Sequence, residues 1–259
     1  ELVLDRRTNA LEPGALAVLE DAERREMGLV TVNPKSKIIA RMLDRDPRAA
    51  LDRDWFETRL ARALALRERL YDAPFYRLVH AEADGFPGVV IDRFGDAAVV
   101  QPNAAWAEAH FDTLVAALQS VTGVTSVVKN GSGRARSLEG LPEETKLLTG
   151  ALDGPIPVPM NGAIYMADLL GGQKTGLFYD QRDNHAFAAR LSKGARVLDL
   201  FSHVGGFGLA ALAAGAVSAL AVDGSEPALN LAEAGAAAMG AADRFEARQC
   251  DAFEALEAL

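Results

Sequence analysis

Cysteine is nearly missing from this sequence: Cys250 is the one instance in 259 residues. An internal disulfide is therefore excluded, and such usage fits a reducing compartment. Histidine is scarce too, with four, and no pair of them stands at metal-ligand spacing, so no metal site is expected. No apolar run approaches the ~18 residues of a membrane helix. Glu1 opens on charge and turn formers rather than a basic segment and an apolar core, so no secretory leader is expected either. A cytoplasmic location, away from any membrane, is the expectation. Basic excess is also lacking: the net charge is −9, which argues against a polyanion-binding face running over the whole chain.

What remains is a chain with 49% hydrophobic and 24% charged residues, long enough for two or three domains with real cores. Its charge is uneven. Residues 1–80 carry 15 Lys and Arg against 14 Asp and Glu, whereas residues 81–180 carry 6 against 12 and residues 181–259 carry 6 against 10. Any contact with RNA belongs to the near-neutral first third, although solvated surface charge explains the same numbers.

Short apolar runs broken by turns open the chain: Ala15–Leu19, then the polar turn Asp21–Arg25, then Gly28–Val32, the turn Asn33-Pro34, and Lys37–Leu43. Three or so strands scarcely close a barrel, so this β module looks incomplete. The period then changes. Trp55, Leu60, Leu64 and Leu70 recur at helical spacing over Asp54–Tyr71, and Arg59, Arg62, Arg67 and Arg69 fill much of the remainder. These arginines read either as an ordinary solvated face or as a basic edge for phosphates. Strands Tyr76–Ala81, Val89–Ile91 and Ala97–Gln101 follow, with Gly and Asp at both reversals. A helix over Ala104–Ser120, a strand over Ser126–Lys129 and a polar loop over Asn130–Gly140 complete an α+β middle domain.

Pro155, Pro157 and Pro159 make Gly154–Met160 an extended connector or edge strand, and a boundary is expected near here. From Arg196 the pattern is βαβαβα: strand Val197–Phe201, helix Gly206–Ala214, strand Val217–Asp223, a helix capped by Ser225 and stopped by Gly240, strand Arg244–Gln249, and a helix from Ala252 to Leu259.

Ligands of open α/β sheets bind beyond the strand ends. There the sequence places Asp199 with the loop Ser202–Gly208, then Asp223-Gly224-Ser225, then Asp251-Ala252. A carboxylate after the second strand suits two vicinal ribose hydroxyls, one after the third suits an exocyclic amine, and Asp199 can order loop amides or meet an ammonium group. A dinucleotide enzyme would show G-x-G-x-x-G, but Gly205-Gly206-Phe207-Gly208 offers no such frame. Glycines for packing and acids at helix N-termini are the plain alternative.

The stretch Asp199-Leu-Phe-Ser-His-Val-Gly-Gly-Phe-Gly208, with Asp223 and Cys250-Asp251, resembles the first three motifs of class I S-adenosylmethionine-dependent methyltransferases. Leu170–Asn184, with its Gln-Lys-Thr-Gly and Asp-Gln-Arg elements, narrows the resemblance to the PUA-containing cytosine-5 methyltransferases of bacterial large-subunit rRNA. His80–Phe94, Leu138–Leu141 and Asn33-Pro-Lys-Ser36 are similar to that family as well.

The resemblance implies an α/β fold. A truncated Rossmann-like methyltransferase domain (161–259) would follow an α+β middle domain (49–160) and a partial PUA-like module (1–48). It implies S-adenosylmethionine as cofactor and ribosomal RNA as partner. Gly205, Gly206 and Gly208 would face the methionine moiety beside Asp199, Phe201 and Ser202; Asp223, Gly224 and Ser225 would take the ribose; Asp251 and Ala252 would take the adenine. Gln173, Lys174, Thr175, Phe178, Asp180, Gln181 and Arg182 would roof the methionine end, with His185 flanking it. Val204 stands where the family often has threonine.

In that family a cysteine thiolate adds to cytosine C6, making C5 nucleophilic toward the activated methyl. Neither that cysteine nor an Asp-Pro-Pro-like fourth motif occurs in this sequence, and Cys250 reads as an apolar filler beside the adenine acid. No catalytic residue is therefore assigned, and the chain is expected to be a fragment that binds cofactor weakly or not at all and methylates nothing. A guanine-N7 rRNA methyltransferase and a non-enzymatic RNA-binding scaffold are the rival readings. The first strand of a half-sheet leaves an open apolar edge, so a homodimer is also expected.

Overall fold

The computed structural model describes residues 8–172 and 175–257. The chain divides into two compact units, Glu1–Ala151 and Leu152–Leu259; the expected limits at 48 and 160 do not coincide with this division.

In the first unit, strands β1 (Ala15–Glu20), β2 (Glu26–Val32) and β3 (Ala40–Asp44) form an antiparallel sheet in that order. Asp21 closes the first turn by accepting the backbone N–H groups of Glu23 and Arg25. Helix α1 (Arg53–Leu70) begins where the Asp52 carboxylate accepts the Trp55 N–H at 3.0 Å, an N-cap of the ordinary kind. Phe56, Leu60, Ala63 and Arg67 are its buried stripe, together with Trp55. Leu70, expected on the apolar face, is 61% exposed, because the helix ends there and its last turn projects past the core.

A five-stranded sheet follows, ordered β4 (Phe75–His80), β5 (Val89–Phe94), β6 (Ala97–Pro102), β7 (Ser126–Asn130), β8 (Thr145–Thr149). All neighbours pair antiparallel except β6 with β7, which are parallel. Two helices, α2 (Ala105–Ala109) and α3 (Phe111–Thr122), make the crossover. The single helix expected over Ala104–Ser120 breaks at His110 (φ −109°, ψ 18°). The turn lets Ala105–Ala107 bury themselves at the end of β6 while Phe111, Leu114 and Leu118 face the core. Trp106 and Phe56 lie at its centre with ring centroids 6.2 Å apart, both fully buried.

The expected loop Asn130–Gly140 holds a short helix, α4 (Arg134–Glu139), closed by Gly140 at φ +76°. Arg136 on it is fully buried, donating to the Pro102 and Pro142 carbonyls and to Glu108. Glu139 is buried as well and joins the two sheets of this unit. Its carboxylate accepts from Asn33 Nδ2 and Ser36 Oγ, each at 2.9 Å, and from Arg41 at 3.2 Å.

The second unit opens with the hairpin β9 (Ile156–Met160) and β10 (Ala163–Ala167). Its two-residue turn, Asn161-Gly162, has φ +55° and +75°, the positive values a type I′ reversal requires. The proline-rich segment is thus a strand paired on one side only, which suits residues that lack an N–H. After α5 (Arg182–Ala189) come β11 (Arg196–Leu200), α6 (Gly206–Ala213), β12 (Ser218–Asp223), α7 (Glu226–Ala238), β13 (Phe245–Gln249) and α8 (Ala252–Glu257). The three strands are parallel in sequence order, as the βαβαβ pattern requires. Helix α7 lies so close to β10 that a β-carbon on Gly235 would come within 2.7 Å of the Ile164 carbonyl.

Candidate cofactor site

Every acid the sequence placed beyond a strand end is at the carboxyl edge of the second unit's parallel sheet, and each has a defined local task. Asp199, in β11, is 4% exposed, and its Oδ2 accepts the Gly208 N–H at 2.8 Å across the glycine loop. Burial raises its pKa to about 6; hydrogen bonds from the Gly208 and Phe207 amides oppose the rise, and the Asp223 charge adds to it. Asp223, at the end of β12, accepts the His203 N–H at 2.8 Å and the Ser225 N–H at 2.9 Å, one on each oxygen. Each oxygen keeps a second lone pair for a hydroxyl. Asp251 accepts the Phe253 N–H at 2.8 Å in the first turn of α8, directly before Ala252.

The loop between β11 and α6 is strained in a way that carries information. Phe201 and His203 have φ of +56° and +50°, left-handed values uncommon in residues other than glycine. Phe201 is therefore not the last residue of the strand, as the sequence suggested, but the first of the turn, and it is 74% exposed. Gly205 is left-handed too (φ +76°), and a β-carbon there would press on Ala232 and Leu209 at 3.0–3.3 Å. Gly206 has its back to His185. Gly208 differs: a β-carbon would meet Asp199, Ala219 and Phe245 at an ordinary 3.5 Å, so space alone does not demand glycine there. Around Gly224 the space is open. Val204 is buried. Ser202 is 5% exposed, and among the described residues its Oγ has no hydrogen-bond partner.

Tyr165, which the sequence did not bring forward, and His185, expected to flank the site, hold this loop from behind. The Tyr165 hydroxyl, in β10, donates to the Gly206 carbonyl at 3.2 Å, and burial, reinforced by the Asp199 charge, raises its pKa while Arg182 opposes. The His185 ring meets Phe207 edge-on at 4.5 Å and lies 6.1 Å from Tyr165; burial depresses its pKa to about 4, against the pull of Asp180, so it is neutral at physiological pH. His185 was legible only as a neighbour of the Asp-Gln-Arg element, and no sequence signal marked Tyr165.

Phe178 of the upstream motif meets His203 of the loop edge-on at 4.9 Å. Thr175 is buried with its hydroxyl on the Leu177 carbonyl at 3.3 Å. Gln181 accepts from Asn184, Asp180 is exposed, and the Arg182 carbonyl accepts from Asn161 of the hairpin turn at 2.8 Å. Gln173 and Lys174 lie outside the described residues.

A buried orphan hydroxyl, two left-handed non-glycine residues and amides gathered by two acids fit a small ligand with ammonium, hydroxyl and amine groups. That is the class of protein the fold defines: a Rossmann-like nucleotide-type site beyond a parallel sheet. Residues 145–241 match the family model described as S-adenosylmethionine-dependent methyltransferase, and residues 3–45 match that of a PUA-like domain.

The chain belongs to the S-adenosylmethionine-dependent methyltransferases that carry a PUA-like module. Ribosomal RNA large subunit methyltransferase I of Alteromonas mediterranea is 38% identical over 240 residues, which is 91% of this chain and 60% of that protein. The protein of the same name from Tolumonas auensis is 40% identical over 206 residues, 78% of this chain and 52% of that one. This chain thus spans 52–60% of the length of these curated relatives. A solved structure from Streptococcus mutans, assigned as a SAM-dependent methyltransferase, shares the fold with a TM-score of 0.82 at 21% identity, covering 95% of this chain and 65% of its own. Another, assigned as a methyltransferase and complexed with SAH, gives 0.82 at 20% identity, covering 97% and 66%.

Proposed function

We propose that this chain carries the methyl-donor site of an S-adenosylmethionine-dependent methyltransferase that modifies large-subunit ribosomal RNA in the cytoplasm, at C5 of a cytosine. The observation that carries the reading is the loop Phe201–Gly208, held by Asp199 and Asp223 in a form with left-handed Phe201 and His203. The names of the curated relatives support the choice of ribosomal RNA.

The cofactor would supply a sulfonium-activated methyl group. Asp199 would face its ammonium, the Ser202 hydroxyl and the Gly205–Gly206 backbone its methionine chain, Asp223 its ribose diol, and Asp251 its adenine amine. Thr175, Phe178, Asp180, Gln181 and Arg182, with Gln173 and Lys174, would close the methionine end. Phe178 would then exclude water from the reacting methyl, and Arg182 would offer a planar fork to the carboxylate.

Titration calorimetry of the chain with S-adenosylhomocysteine tests the site: binding, however weak, that Asp223→Ala abolishes supports it, and binding that Asp223→Ala leaves unchanged sinks it. Mapping the methyl group on large-subunit rRNA treated with the protein separates cytosine C5 from guanine N7, and any methylation by this chain overturns the expectation that it methylates nothing.

A further inference from the structure

The five arginines of α1 do not share one fate: Arg53, at its start, pairs with Glu57 at 2.7 Å. Arg67 is buried, its fork closed on Asp84 at 2.6 and 2.7 Å with Nε on the Arg77 carbonyl. Arg59 lies over the Trp55 ring at 3.8 Å and donates to Asp44 at 2.7 Å. Arg62 and Arg69 are exposed, and among the described residues neither has a carboxylate within ion-pair distance. Arg59, Arg62, Leu66 and Arg69 recur at i, i+3, i+7 and i+10, so they form one stripe running about 15 Å along the helix. It is opposite in role to the buried stripe of Phe56, Leu60, Ala63 and Arg67.

This stripe walls a groove of about 510 Å³ whose other side is Ala83–Gly85. A second groove, sharing Arg59 and Gly85, continues it past Arg41 and Arg45 of the β3 region. Five arginines therefore line the joined surface against Asp44, Glu82 and Asp84. Each acid is already engaged: Asp44 by Arg59 and the Trp55 indole, Glu82 by Arg41, Asp84 by Arg67. Arg45, Arg62 and Arg69 are left as surplus positive charge on a chain whose net charge is −9. Leu66, 48% exposed between Arg62 and Arg69, gives the stripe an apolar step. Spaced guanidinium forks with an apolar step between them suit a chain of phosphodiesters with bases more than they suit a lone anion.

We propose that the α1 stripe, extended by Arg45, is a docking surface for the phosphate backbone of single-stranded RNA, formed wholly within the first unit. This rests on the reading of the protein as an RNA methyltransferase. The surface positions RNA through its charge and reads no sequence.

The test is fluorescence anisotropy of the full chain with a labelled mixed-sequence RNA oligonucleotide across a salt series, with S-adenosylhomocysteine calorimetry on the same preparations. Combining Arg62→Ala with Arg69→Ala should weaken RNA binding about tenfold at low salt and reduce the slope of log K against log salt by about 1.4, two contacts at 0.7 each. The paired Arg62→Lys, Arg69→Lys variant should keep the slope. Both variants should bind S-adenosylhomocysteine as the parent does, and circular dichroism should show α1 intact. An unchanged RNA slope in the alanine variant overturns the proposal, as does a parent chain that binds no RNA or that poly-glutamate occupies as tightly as RNA. Loss of S-adenosylhomocysteine binding by the parent would count against the methyltransferase reading and not against this surface.

Discussion

The imidazole of His185 occupies the place a side chain at Gly206 would need: a β-carbon there would lie 2.5 Å from Nε2 and 2.6 Å from Cε1. The ring is wedged against Phe207 on α6 and cannot retreat without moving the helix start. Gly206→Ala should therefore destabilise the protein by about 1–3 kcal/mol, as overpacking does. Combining it with His185→Ala should recover part of that loss, read from urea unfolding of the two single variants and the double. Strict additivity would show that the two positions do not compete for this space.

Asp199 and His185 titrate in opposite senses over the same interval. Asp199, raised from 3.8 to about 6, gives stability present below pH 4 and lost as pH rises through 6. His185, lowered from 6.5 to about 4, gives stability present above pH 6.5 and lost as pH falls through 4. Each shift is roughly two units, or about 3 kcal/mol, so between pH 4 and 6 the two slopes largely cancel. Asp199→Asn should expose a stability that rises with pH across that window, and His185→Leu one that falls, measured as urea midpoints from pH 4 to 7. Parallel profiles in all three proteins would refute the opposition.

An ammonium group docking on Asp199 favours the ionised carboxylate. S-Adenosylhomocysteine affinity should therefore drop up to tenfold per pH unit below about 6 and level off above it. Calorimetry at pH 5 and pH 7.5 checks this, and Asp199→Asn should bind weakly with no such dependence.

Ser202 offers a contrast of sign. Its buried hydroxyl has no partner among the described residues, so Ser202→Ala should leave the free protein equally stable or about 1 kcal/mol more so. The same change should weaken S-adenosylhomocysteine binding roughly tenfold, if the hydroxyl faces the ligand. Thermal melts with and without S-adenosylhomocysteine separate the two effects; a variant less stable without ligand would show that the hydroxyl already serves the fold.

Glu139 should behave in the reverse way. Removing its carboxylate leaves Asn33, Ser36 and part of Arg41 unsatisfied in a buried setting. Glu139→Ala should lower stability by about 3 kcal/mol and detach β1–β3 from the first unit's core, seen as faster proteolysis near residue 46. S-Adenosylhomocysteine binding should not change.

The parallel sheet was legible because its signals are local: apolar strands ending in Asp199 and Asp223, Ser225 with Pro227 opening α7, Gly240 closing it. Strand β8 was not legible, since Thr145 and Lys146 are exposed and the pairing that makes it a strand comes from β7. Helix α4 was hidden in a polar loop because its cause, the burial of Arg136 among carbonyls of distant residues, leaves no periodic trace. The support that Tyr165 and His185 give the glycine loop was hidden for the same reason. Among the α1 arginines, composition could not distinguish Arg67, sealed against Asp84, from Arg62 and Arg69, which face solvent.

The one parallel pairing in the five-stranded sheet also bears on how the first unit reaches its structure. Strands β4, β5 and β6 can zip together as successive hairpins, each closing a short loop. Strand β7 can join β6 only after residues 103–125 have crossed over and packed α3 against α1. Until then the β6 edge stands open, a transient template for another chain. The longer this crossover takes to close, the longer the β6 edge can pair with another chain.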